Sequence, residues 1–130
     1  MKKNFKGFAL IEVVIVVILV SGSFLVFLEA LNQTKTLQVR SEVVSKQTMV
    51  LNQKINQSRA AGFDNVNGIL NYTTVLNNPA FQYSLNVSFV NEHLEFINNA
   101  QTDYKLVEVK VRHSSDEYSP IKDIFLMTKK

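Results

Sequence analysis

The chain contains no cysteine. That excludes disulfides and thiolate metal sites, and it leaves the redox compartment unread. No proline occurs before Pro79, so nothing of that kind breaks a helix in the first half. Histidine is scarce. His93 and His113 have no third ligand at metal spacing, so both read as surface or strand-end residues. Asp116 and Glu117 near Asp123 lack a glycine-turned loop and are too few for a calcium site. No catalytic constellation is present, and nothing calls for a cofactor. Four N-x-[ST] matches begin at Asn32, Asn56, Asn71 and Asn86, as chance allows in an Asn-rich chain.

Positive charge is also scarcer than the net value of +3 suggests. Lys2, Lys3 and Lys6 precede the first long apolar run. Without residues 1–7, Lys+Arg falls from 14 to 11 and equals the 11 acidic residues. The alkaline isoelectric point is therefore a property of the start of the chain, and it gives little support for a nucleic-acid partner.

What the chain does have is "FALIEVVIVVILVSGSFLVFL", Phe8 to Leu28. A helix of that length crosses a hydrocarbon core of about 30 Å. The preceding lysines keep the N-terminus cytoplasmic and send the rest of the chain outward. An ordinary secretory signal is the alternative, with Ser21, Gly22 and Ser23 imitating its cleavage site. Against it, apolar residues resume at Phe24 to Leu28, and such a signal has no use for Glu12. An ionised carboxylate costs about 3 kcal/mol at mid-bilayer and less near the interface. Cleavage between Gly7 and Phe8 would create an ammonium one helical turn from Glu12. That ammonium, or the one on an adjacent subunit, could neutralise it, and the first turn of a helix favours a negative side chain.

"KGFALIEVVIVVIL" resembles the N-terminal signature of type IV prepilins and pseudopilins. In that family a short basic leader ends in glycine, phenylalanine follows, and a glutamate stands fifth in the mature chain. Lys6, Gly7, Phe8, Leu10, Ile11, Glu12 and Val13 match; Ala9 stands where threonine is commonest. The resemblance implies leader cleavage between Gly7 and Phe8 by a membrane prepilin peptidase and methylation of the Phe8 amine. It also implies assembly through Glu12 into a helical filament with the apolar helices at its centre. The implied partners are that peptidase, other pilin or pseudopilin subunits, the inner-membrane assembly platform, and membrane lipid before assembly. Nucleic acid enters only if the pilus takes up DNA. The implied location is the cytoplasmic membrane, single-pass with the C-terminal domain outside, and then an extracellular pilus or periplasmic pseudopilus.

Past the membrane segment, apolar residues recur at helical spacing through Phe24, Leu28, Leu31, Val39, Val43 and Val50. A shifted stripe adds Val44, Leu51 and Ile55. "RAAGF" closes the pattern, with Gly62 as a C-cap. One helix from Phe8 to Ala61 would be about 80 Å long, with a local melt at Gly22 left open. "FDNVNGILNYTTVLNNPAF" reads as a connecting loop with room for one short turn or strand. "FQYSLNVSFV" alternates as a strand, Asn91-Glu92 turns the chain into a shorter strand "HLEFI", and "YKLVEVKVR" and "IKDIFLMT" follow. In "YKLVEVKVR", Val107, Val109 and Val111 share one face against Glu108, Lys110 and Arg112.

The expected fold is α+β: a long N-terminal helix packed on an antiparallel meander of four strands. Its segments are leader 1–7, membrane half 8–28, amphipathic half 29–61, and loop and sheet 62–130. The last two form one domain. "VLNQKINQSRAAGFDNV" and "YKLVEVKVR" are similar to stretches of V-type minor pilins and I-type minor pseudopilins. The kinking proline and C-terminal cysteine pair of many major pilins are missing, with Glu29 near the proline position. The resemblance thus implies a minor type IV pilin, a structural subunit rather than an enzyme, that helps initiate or decorate a pilus serving adhesion, motility or DNA uptake. The alternatives are a minor pseudopilin of a type II secretion system and a signal-anchored binding module that never polymerises.

Overall fold

The computed structural model describes residues 6–98 and 102–129, with side chains from residue 10 onward. Lys2 and Lys3, expected in the leader, lie outside the described residues. The elements are α1 (Lys6–Ala61), β1 (Ile69–Val75), β2 (Asn78–Val90), β3 (Tyr104–His113) and β4 (Ile121–Thr128). All strand pairs are antiparallel and the order is β1-β2-β3-β4, the expected meander. The class is α+β, a long helix packed on a four-stranded sheet. The chain divides into two units, ending at Val39 and beginning at Arg40.

Residues 10–39 of the first unit are helical and exposed throughout. The helix does not melt at Gly22. The hydroxyl of Ser23 donates to the carbonyl of Leu19 at 2.8 Å, and Thr34 and Thr36 donate to Ala30 and Asn32 in the same way. These i to i−4 bonds satisfy the hydroxyls without leaving the helix.

In the second unit, α1 buries Gln47, Val50, Leu51, Ile55 and Ser58, with Val43 packed at the margin. Val43, Val50, Leu51 and Ile55 belong to the expected 3.6-residue stripe, and each of the last three contributes about 2 kcal/mol by leaving water. Val39 and Val44, expected on the stripe, are exposed at 45% and 46%. Val44 shares the angular position of Leu51 but stands two turns nearer the N-terminus, where the sheet covers only the arc around Val43 and Gln47. Gly62 ends the helix as predicted: its φ is 83° and its N–H donates to the Arg59 carbonyl.

The sheet's core face is set by alternation. In β3, Lys105, Val107, Val109 and Val111 are buried while their neighbours are half-exposed. They face Phe89, Val87, Leu85 and Tyr83 of β2, and Met127, Phe125, Asp123 and Ile121 of β4. The segment read as a connecting loop that could hold one short turn or strand does hold a strand, β1, an edge strand whose side chains are exposed except Val75. One strand expectation needs correction: "HLEFI" is not a strand. The Asn91 side-chain oxygen accepts from the N–H groups of His93 and Glu95, and Leu94 takes a φ of 62°. That Asn-centred turn leaves a single bridge, Val90 to Phe96.

Candidate functional site

The expected site residues lie at the start of α1. Gly7 and Phe8 fall in its first turns. Glu12 follows Phe8 by four residues, so the two Cα atoms lie on one helix face. Its side chain is exposed, in the company of Leu10, Ile11, Val13 and Ile15, all half or more exposed. No charged residue follows until Glu29. Leu10 to Leu28 therefore presents apolar side chains on every side of the helix, with exposures from 41% at Leu28 to 70% at Val26. A helix apolar all round is one made to be covered by lipid or by other helices. Length and composition suffice for a single membrane anchor near the N-terminus.

Elsewhere the sequence candidates do not converge. Among the described residues, no three of His, Asp and Glu stand where they could hold a metal ion. The His113 ring lies between Phe81 and Tyr118, with centroids 5.2 and 4.9 Å away. Its Nδ1 accepts from the N–H of Ser115. Its surroundings are those of a packed aromatic.

Three polar residues that the sequence reading passed over are buried, Gln47, Ser58 and Lys105, and two of them reach across to a loop. Gln47 is fully enclosed; its Nε2 donates to the carbonyl of Ser119 at 3.3 Å. This bond ties the β3–β4 loop to α1. Lys105 is 3% exposed. Its ammonium donates to the carbonyls of Phe63 and Val66 and to Oδ1 of Asn67, and it sits over the Phe63 ring, 4.1 Å from the centroid. The three acceptors satisfy its three donors, and all belong to the loop that follows Gly62. Burial pushes the Lys105 amine below its ordinary 10.5, against the attraction of Asp64. Both residues carried a usable signal. Gln47 lies four residues after Val43, and Lys105 shares the parity of the three valines.

No protein-family model, curated protein or solved structure matches this chain.

Proposed function

We propose that the chain is a minor type IV pilin: a membrane-held precursor cut after Gly7, then built into a filament through its apolar helix. The observation that carries this reading is Glu12. It is one carboxylate at the start of a helix whose next sixteen residues carry no charge. A plain membrane anchor gains nothing from it. A filament subunit gains a partner for the new amine, its own or a neighbour's, where the dielectric is low and an unpaired charge costs several kcal/mol. The exposed apolar surface from Leu10 to Leu28 supports the same reading, because it suits lipid first and neighbouring helices afterwards. The prepilin peptidase, the other subunits and the inner-membrane assembly platform are the partners this requires. The continuous helix across Ser21-Gly22-Ser23 fits it too, since the segment need not unwind to be accommodated.

The test is Glu12→Ala. Removing a charge from an apolar segment leaves insertion unchanged or slightly better. Cleavage after Gly7 persists, because the substitution lies beyond the cut. Assembly fails, so the processed subunit stays in the membrane fraction and is missing from sheared filaments by immunoblot. Equal incorporation of wild type and variant would mean either that the subunit caps the filament tip or that Glu12 has no assembly role, and crosslinking Phe8 of one subunit to position 12 of another separates the two. Recovery of the wild-type protein with a secretion-system secretin instead of sheared pili would assign it to a pseudopilus.

A further inference from the structure

The loop between α1 and β1 contains the chain's one Asn-Gly step, Asn67-Gly68. Its chemistry is set up by the Lys105 cluster. Asn67 is exposed to water. Its Oδ1 accepts from the Lys105 ammonium at 2.7 Å, and its Nδ2 donates to the carbonyl of Asp64 at 2.6 Å. Gly68 has a φ of 83°, and the space where a Cβ would stand is empty. With no side chain on Gly68, its backbone nitrogen meets the least hindrance on approaching the Asn67 amide carbon.

We propose that Asn67 is a self-modification site: its side-chain amide is lost as ammonia in the folded protein, and the resulting carboxylate becomes the counter-ion of buried Lys105. The steps balance without any oxidant or reductant. The Gly68 nitrogen bonds to Cγ of Asn67 and gives up its proton. The Cγ–Nδ2 bond breaks, and the amide leaves as ammonia with that proton, closing a five-membered imide. Water then adds to one imide carbonyl and reopens the ring. Addition at Cγ yields aspartate with the main chain intact; addition at the backbone carbonyl yields isoaspartate.

Lys105 acts on both steps as a positioning residue. Its ammonium rests on the oxygen that gathers negative charge when Cγ is attacked, which is the placement of an oxyanion-stabilising donor. The same contact activates Cγ over the backbone carbonyl during ring opening, so aspartate is favoured over isoaspartate. The product also answers a deficiency of the folded state. Lys105 makes no ion pair among the described residues and is held by neutral acceptors alone. Hydrogen bonds between two charged groups are shorter and stronger than those to a neutral amide. Loss of the amide gives up the Nδ2 bond to the Asp64 carbonyl, which lies on an exposed residue and regains water, and it replaces the neutral contact to Lys105 with a stronger ionic one that ties the loop to β3. The inference is independent of the filament reading.

The experiment follows the full-length chain in detergent on prolonged incubation at neutral pH, by peptide mapping with mass spectrometry across residues 60–72. The wild type should exchange NH2 for OH at Asn67, giving mainly aspartate. Lys105→Met should react more slowly, by about tenfold, and give mainly isoaspartate. Overturning results are an intact Asn67 amide over a period in which the urea-unfolded chain loses it, or an unchanged rate and product ratio in Lys105→Met. Loss of ammonia without addition of water, with a peptide joining Asn67 to Lys105, would also overturn it. In that case the amine itself was the nucleophile. Because Lys105→Met loosens the loop, Asn67→Asp provides a second arm. It should raise the urea midpoint of the otherwise wild-type chain, and a lowered midpoint would sink the proposal.

Discussion

Lys105→Met tests how the second unit is held together. Methionine keeps the length and apolar contacts of the lysine stem against Phe63 and Phe89. It removes the donor from the carbonyls of Phe63 and Val66 and from Asn67 Oδ1. Bonds from a charged donor contribute about 1.5–3 kcal/mol each, but burying an ammonium costs several kcal/mol, and that cost vanishes with the charge. Asn67 regains water readily because it is exposed, whereas Val66 is buried at 6%. The net loss is then about 2 kcal/mol, mostly the penalty of one orphaned carbonyl. For a unit of this size that is a fall of about 10 °C in Tm, or about 1 M in urea midpoint. All four tyrosines, at positions 72, 83, 104 and 118, lie beyond Gly62, so their fluorescence reports this unit and not the apolar N-terminal helix. The pH dependence adds a signature. Burial, opposed by Asp64 and aided by Lys129, holds the folded amine below 10.5. Between the lowered value and 10.5 the unfolded chain binds more protons than the folded one, so wild-type stability rises with pH across that window. The variant lacks this rise, and its deficit widens toward alkaline pH. A variant as stable as wild type at neutral pH, or a deficit that does not grow with pH, would refute the reasoning.

Gly7→Val should leave the full leader attached, and N-terminal mass mapping of the wild type should find a methylated Phe8; a mature chain starting after Ser21 or Ser23 would restore the ordinary secretory signal. Burial raises the Glu108 carboxyl, but Lys110 and Lys122 at 3.2 and 3.4 Å outweigh it and hold it below 4.5. Its contribution is present above the unfolded pKa and is lost as pH falls through the folded one. Glu108→Gln should therefore flatten the acid limb of a stability profile by about 1 kcal/mol, a small amount because both lysines are substantially exposed.

How much of this was legible in the chain depended on whether a residue's burial shows as a pattern. Val107, Val109 and Val111 could be placed on the core face because period-2 alternation is the direct imprint of a half-buried strand. Gly62 could be placed as the cap because a positive φ selects glycine. The apolar helix could be placed from Phe8 onward because a long run with one charge has few other ways to fold. Where the pattern was weak or misleading, order came from hydrogen bonds rather than from buried side chains. β1 is an edge strand with one buried residue, so its sequence looks like a loop although β2 supplies its ladder. "HLEFI" alternates like a strand, yet Asn91 captures the N–H groups of His93 and Glu95. A polar residue on an apolar face is the opposite case. Lys105 and Gln47 obeyed the periodicity, and only their chemistry argued for the surface. Position within the pattern outweighed residue type because neutral acceptors stood ready for the donors: three from the loop after Gly62 for Lys105, and one from Ser119 for Gln47, whose Oε1 has no protein partner among the described residues. When strand parity and polarity disagree, the useful question is which nearby loop carries enough carbonyls to receive the polar end. Here that loop, 62–68, follows the helix that the valines of β3 already require.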